Sequence, residues 1–174
     1  MSLTDGQKVA LLAEITPLLE AGQEFEGIPH NSDGALAIAE AYNLQADPDF
    51  WVFLSSVNTD AVRDSLDWTE VLDETSGLTP AQQWGFDTLI HNGVYDPSKL
   101  NSRMALLSIF PAEMTNTRAN LLSDATRLAT RAEALFATTA SGPAGGNGSA
   151  QNKSAIASFE GQLSYQDVKL AMGW

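Results

Sequence analysis

The residue types able to do chemistry are sparse and badly spaced for it. The chain has two histidines, His30 and His91, and neither stands in an H-E-x-x-H or H-x-x-x-H arrangement. The 174 residues hold no cysteine, which excludes thiolate metal sites, iron–sulfur clusters, disulfides and cysteine nucleophiles. Carboxylates come in close pairs: Glu24/Glu26, Asp47/Asp49, Asp64/Asp67 and Asp73/Glu74. Paired carboxylates can share general acid and base work or hold a hard cation. The spacing in Asp47-Pro48-Asp49 is explained by helix capping alone, and no stretch follows the calcium-loop pattern D-x-D/N-x-D/N-G. No G-x-S-x-G, G-x-G-x-x-G or G-x-x-x-x-G-K-S/T occurs. Trp51, Trp68 and Trp84 sit among aliphatic residues and read as core, while Trp174 reads as an anchor. The sequence is therefore read as that of a protein that is not an enzyme, with no catalytic, metal-binding or cofactor-binding residue.

The elements that would position these residues read as helix after helix. Thr4 with Gln7 forms a capping box before Val9, Leu11, Leu12, Ile15, Leu18 and Leu19. A second, alanine-rich helix begins near Asn31–Ser32 and runs to Leu44. Asp47-Pro48-Asp49 predicts another start, with proline at the first helical position. Asn58-Thr59-Asp60 and Asp67-Trp68-Thr69 open short helices, and Thr79-Pro80-Ala81-Gln82 is the best start in the chain. Asp96-Pro97-Ser98 begins one more. From Pro111 to about Thr138 the apolar positions Leu121, Leu122, Ala125, Leu128, Ala129, Ala132, Leu135 and Phe136 keep a period near 3.5. That predicts a spine helix of about 25 residues, roughly 37 Å long. The fold class expected is all-α: a helical bundle with this long C-terminal spine helix, followed by a flexible linker and an extended or short-helical tail.

Three domains of organisation follow: a helical body over 1–139, a Gly-rich linker over 140–152 and a tail over 153–174. Thirteen linker residues reach roughly 20 Å as a coil. The tail is too short for a core of its own, yet carries Ile156, Phe159, Leu163, Tyr165, Val168, Leu170 and Trp174. It must dock, on its own body or on another subunit, and the reach of the linker favours a partner. Ser164 with Asp167 would cap a short helix there.

The net charge of −13 argues against binding nucleic acid through phosphates. Residues 1–98 hold 17 acids and two bases, and residues 99–174 five acids and seven bases. This is either a solvated acidic face or a subunit with two ends of opposite potential, suited to stacking. No stretch approaches the roughly 20 apolar residues of a membrane span, and the N-terminus has no export signal, so a soluble protein with no membrane partner is expected.

Three segments carry a resemblance. They are Asp49-Phe50-Trp51-Val52-Phe53 with Asp67-Trp68-Thr69, then Thr130 to Thr138 before the Gly-rich stretch, and Phe159 to Val168 near the C-terminus. Together they resemble the head–tail connector (adaptor or neck) proteins of tailed bacteriophages, over most of residues 47–170. The resemblance implies a structural virion protein, made in the host cytoplasm and located at the head–tail neck. It implies a homo-oligomeric, dodecameric ring below the portal protein, with a downstream neck or tail protein attached and DNA passing through without sequence-specific binding. It also implies a C-terminal tail reaching into the portal; no cofactor is expected. Arg118, Arg127 and Arg131 are then candidates for inter-subunit contacts or for an acidic portal surface. Other classes are a head-decoration or tail-completion factor, and an acidic DNA mimic or inhibitor.

Overall fold

The structure, a computed structural model, describes residues 2–91, 93–138 and 155–174. The linker predicted over 140–152 lies outside the described residues. In chain order the elements are α1 (Asp5–Leu18), α2 (Ser32–Tyr42), β1 (Trp51–Phe53), β2 (Val57–Asn58), α3 (Thr59–Asp64), α4 (Trp68–Val71) and α5 (Pro80–Ile90). They continue with β3 (Val94–Tyr95), α6 (Leu100–Ile109), α7 (Thr115–Asp124), β4 (Thr126–Leu128), α8 (Arg131–Phe136), β5 (Ala155–Ile156) and α9 (Tyr165–Met172).

The all-α expectation is overturned. A three-stranded mixed sheet has the order β4-β1-β5, with β1 and β5 parallel and Val52 opposite Ala155. A second, antiparallel pair joins β2 to β3, with Val57 opposite Tyr95. The helix expected at Asp47-Pro48-Asp49 does not form: the Asp47–Pro48 peptide is cis and the chain runs on into β1. Trp-Val-Phe is a β-prone run, and Val52 and Phe53 are fully buried there.

The spine helix is also corrected. The segment divides into α7, β4 and α8. Ala125 ends α7, and its carbonyl accepts the Leu54 N–H at 2.9 Å. Thr130 then caps α8 through a capping box with Glu133. The apolar stripe exists, but its residues serve two different cores: Leu121 packs in one, Ala132 and Phe136 in the other.

The chain forms two compact units. The first comprises Met1–Phe50, Leu128–Ala137 and Ala157–Trp174; the second comprises Trp51–Arg127 and Thr138–Ile156. In the first, Leu11 and Ile15 of α1, Ile38 of α2, Val168 of α9 and Leu163 just before α9 are buried together, with Phe136 meeting Phe159 edge-on at 5.6 Å. In the second, α5 and α6 bury Phe86, Ile90, Leu106 and Phe110. Buried Arg103 lies 4.4 Å from the centre of the Phe53 ring, and its Nη1 donates to the carbonyls of Pro97 at 2.7 Å and Ser98 at 2.8 Å. This arrangement satisfies a charge that would otherwise be costly to bury.

Gly34, in the first turn of α2, faces the loop that precedes the helix. A Cβ there would collide with the Pro29 carbonyl oxygen and the Ile28 side chain. Gly→Ala inside a helix ordinarily stabilises by about 1 kcal/mol. Here the clash reverses the sign, and Gly34→Ala is expected to destabilise by about 1–3 kcal/mol in urea unfolding followed by circular dichroism. An increase in stability would show that the Ile28–Pro29 loop yields freely.

Candidate functional site

The C-terminal segment is held by its own chain. The Ser164 hydroxyl accepts the Asp167 N–H, and Asp167 accepts the Ser164 N–H, forming a capping box that starts α9. Buried Asp167 also accepts the Leu3 N–H at 3.3 Å. Asn43 brackets Leu163, accepting its N–H at 2.7 Å and donating to its carbonyl at 2.9 Å. Of the seven tail residues singled out for partner docking, Phe159, Leu163 and Val168 lie in the core of the first unit. Ile156 pairs with Phe53 in the sheet. They are therefore engaged within the chain rather than offered to a partner. Tyr165 and Leu170 face solvent, with Leu170 65 % exposed. Trp174 is half-buried and stacks on His30, with ring centres 4.6 Å apart. A groove of about 330 Å³ runs between Ser32, Tyr165, Gln166, Lys169, Leu170 and Trp174. Lys169 spans it, donating to the Ser32 hydroxyl at 3.3 Å.

The three arginines proposed for subunit contacts are also placed. Arg131 begins α8 and forms a bidentate pair with Glu24, with Nη1–Oε1 at 2.6 Å and Nη2–Oε2 at 2.9 Å. Its guanidinium lies 4.6 Å from the centre of the Tyr42 ring. Arg131 is therefore committed inside the first unit. Arg118 Nη1 donates to the Phe110 carbonyl at 3.4 Å, and Arg127 lies half-buried in β4. The charge split between the two halves of the sequence is not kept as a split between the two units. Arg131 and Lys169, from the basic half, fold into the same unit as the acidic N-terminal helices.

The aromatic surface was missed by the sequence reading. Trp84 is not core: it is 72 % exposed and overlooks a hollow of about 450 Å³ with Asp87, Thr88 and His91. Trp68 is exposed as well, and Leu72 is 68 % exposed. The signal for Trp84 was present, because the core residues of α5 are Phe86 and Ile90. Trp84 precedes Phe86 by two residues, about 200° around the helix.

The carboxylate pairs do structural work where partners are visible. Asp67 caps α4, and Asp49 accepts from Gln45 Nε2 at 2.6 Å. Thr75 and Ser76 donate to Asp73 and hold its carboxyl well below the usual carboxylate range. Among the described residues no group of three or more His, Asp or Glu is placed to hold a metal ion. No helix among them is long and apolar enough to cross a membrane.

The Glu24–Arg131 pair has a pH signature. Hydrogen bonds from Arg131 hold the Glu24 carboxyl below its ordinary value of 4.5, with burial opposing and the Arg131 charge adding. A carboxyl depressed in the folded state gives stability that is fully present above 4.5 and lost as pH falls through the folded value. Arg131→Gln is expected to lower stability near pH 7 and to flatten its decline below about pH 4.5, measured by urea unfolding across pH. A parallel decline in both proteins would remove the pair from the account.

Comparison with protein-family models, with curated proteins and with solved structures finds no match to this chain.

Proposed function

We propose that this chain is a structural subunit of a tailed-phage virion, a head–tail connector. It assembles as a ring below the portal, leaves a passage for DNA and presents an attachment site for a downstream neck or tail protein. The reading rests on the resemblance carried by Asp49–Phe53 with Asp67–Thr69, Thr130–Thr138 and Phe159–Val168.

One observation carries it furthest. Each unit leaves large apolar side chains in water. The first exposes Val9 (67 %), Leu44 and Leu170, and the second exposes Trp68, Leu72 and Trp84. A ring closes through heterologous contacts, in which one patch of a subunit meets a different patch of the next. A chain carrying separate apolar surfaces on two units has the parts for that. Solvent exposure of this many bulky residues is a liability unless assembly covers them. The net charge of −13 suits a channel that DNA traverses without adhering, because like charge prevents phosphate contacts. The acidic DNA-mimic reading is weaker. Asp67, Glu70, Asp73 and Asp167 turn their oxygens to backbone amides instead of presenting a duplex-like array.

Negative-stain electron microscopy of the purified chain, alone and with the portal encoded beside it, tests the proposal. Rings seated on portals are expected. Trp84→Ser and Leu72→Ser should each reduce ring yield strongly, while shifting Tm by about 2 °C or less, since exposed side chains contribute little to folding. Monodisperse monomers that ignore the portal would overturn the connector reading.

A further inference from the structure

The groove of about 330 Å³ beside α9, in the first unit, has an apolar wall of Tyr165, Leu170 and Trp174. Its volume is at the small end of the range for binding clefts, about 300–1,000 Å³, so it has room for a side chain and not for a helix. Trp174 is steadied by its stack on His30. Lys169 is the charged group in the lining among the described residues, and it is half-buried. Its ammonium donates to the Ser32 hydroxyl at 3.3 Å and makes no ion pair among the described residues. A partly desolvated ammonium without a counter-ion, set in an apolar wall, selects an apolar group that carries a carboxylate beside it.

The second unit presents that pattern on α5. Trp84 is 72 % exposed, and Asp87, one turn further on, is exposed on the same side of the helix. Asp87 makes no ion pair among the described residues. Other exposed apolar residues also have carboxylates nearby, but those are engaged. Asp5, near Val9, pairs with Lys8; Asp67, beside Trp68, caps α4; Asp73, beside Leu72, accepts from Thr75 and Ser76. Trp84 with Asp87 joins a large indole to an uncommitted carboxylate.

We propose that Trp84 of one copy seats in the α9 groove of a second copy, with Asp87 paired to Lys169. The proposal rests on the assembly reading above and names the two surfaces that meet. The indole lies against Leu170 and the aromatic wall, and the neighbouring ammonium adds a cation–π attraction. Tryptophan in a pocket is among the residues that most often carry interface energy. One contact leaves a groove free on one copy and a Trp84 free on the other, so copies add in one direction until a ring closes. One side chain in one groove buries far less than the about 1,200 Å² of a stable pair, so each contact is weak alone and gains from closure.

The test is sedimentation velocity of the full chain over a concentration series reaching about 1 mM, the range in which a weak contact is read. Self-association is expected to rise with concentration. Asp87→Lys and Lys169→Glu should each weaken it about tenfold or more, because like charges then face each other. An equimolar mixture of these two variants, and the chain carrying both substitutions, should recover it. Leu170→Ser, at an exposed position, should weaken it about fivefold with an unchanged circular dichroism spectrum. A wild-type chain that stays monomeric, single variants that associate like wild type, or losses that neither the mixture nor the double variant restores would overturn the proposal. Loss of portal binding in Lys169→Glu with self-association unchanged would give the groove to the portal and overturn it too. Rings on portals formed equally by wild type and both single variants would keep the connector and overturn this contact. Association through the contact by a chain that ignores the portal would keep the contact and overturn the connector.

Discussion

Burial of the apolar residues of α9 and of the segment before it against α1 and α2 is the constraint on which the rest depends. Phe159, Leu163 and Val168 complete a core that the first 42 residues begin but cannot close. Each such side chain contributes about 1.5–3 kcal/mol when removed from water. Bringing Leu163 to Asn43 closes a loop of 120 residues, at a cost of about 4 kcal/mol plus a constant. The polar bonds then fix the register: Asn43 on the Leu163 peptide, Asp167 on Leu3, and Glu133 on the Gly161 N–H at 3.2 Å. Everything between the two ends must leave this core and return to it. Residues 51–127 accordingly form an excursion with a core of their own.

Local signals were legible and distant ones were not. The capping boxes at Thr4/Gln7, Thr79/Gln82 and Ser164/Asp167 each start the helix that the sequence placed there. A capping box needs only four consecutive residues, so it survives without knowledge of the fold. The box at Thr130/Glu133 was equally readable, but it lay beneath an apolar stripe that looked continuous. The stripe is real as burial and misleading as helix, because Leu121 and Ala132 answer to different cores. The sheet was hidden for another reason. Its strands have two or three residues each, and β1 finds its partners more than 70 residues away. No local period reports such a pairing.

The tail illustrates how composition and geometry diverge. Its apolar content announced docking, and its linker suggested a partner. The structure divides that content by face. Phe159, Leu163 and Val168 face inward, Tyr165 and Leu170 face water, and Trp174 rests on His30. The same division separates the polar groups. Arg131 and Glu24 satisfy each other, and the same guanidinium lies over the buried Tyr42 ring. Charge alone in the sequence could not distinguish a spent arginine from an available one.

The central claim is that α9 belongs to one cooperative core with α1 and α2. Native-state hydrogen exchange followed by mass spectrometry tests it most directly. Amides of α9 should open together with those of α1 and α2 and share their protection, as members of one folding unit do. Fast exchange across residues 157–174, with α1 and α2 still protected, would contradict the account and restore a tail free to be donated to a partner.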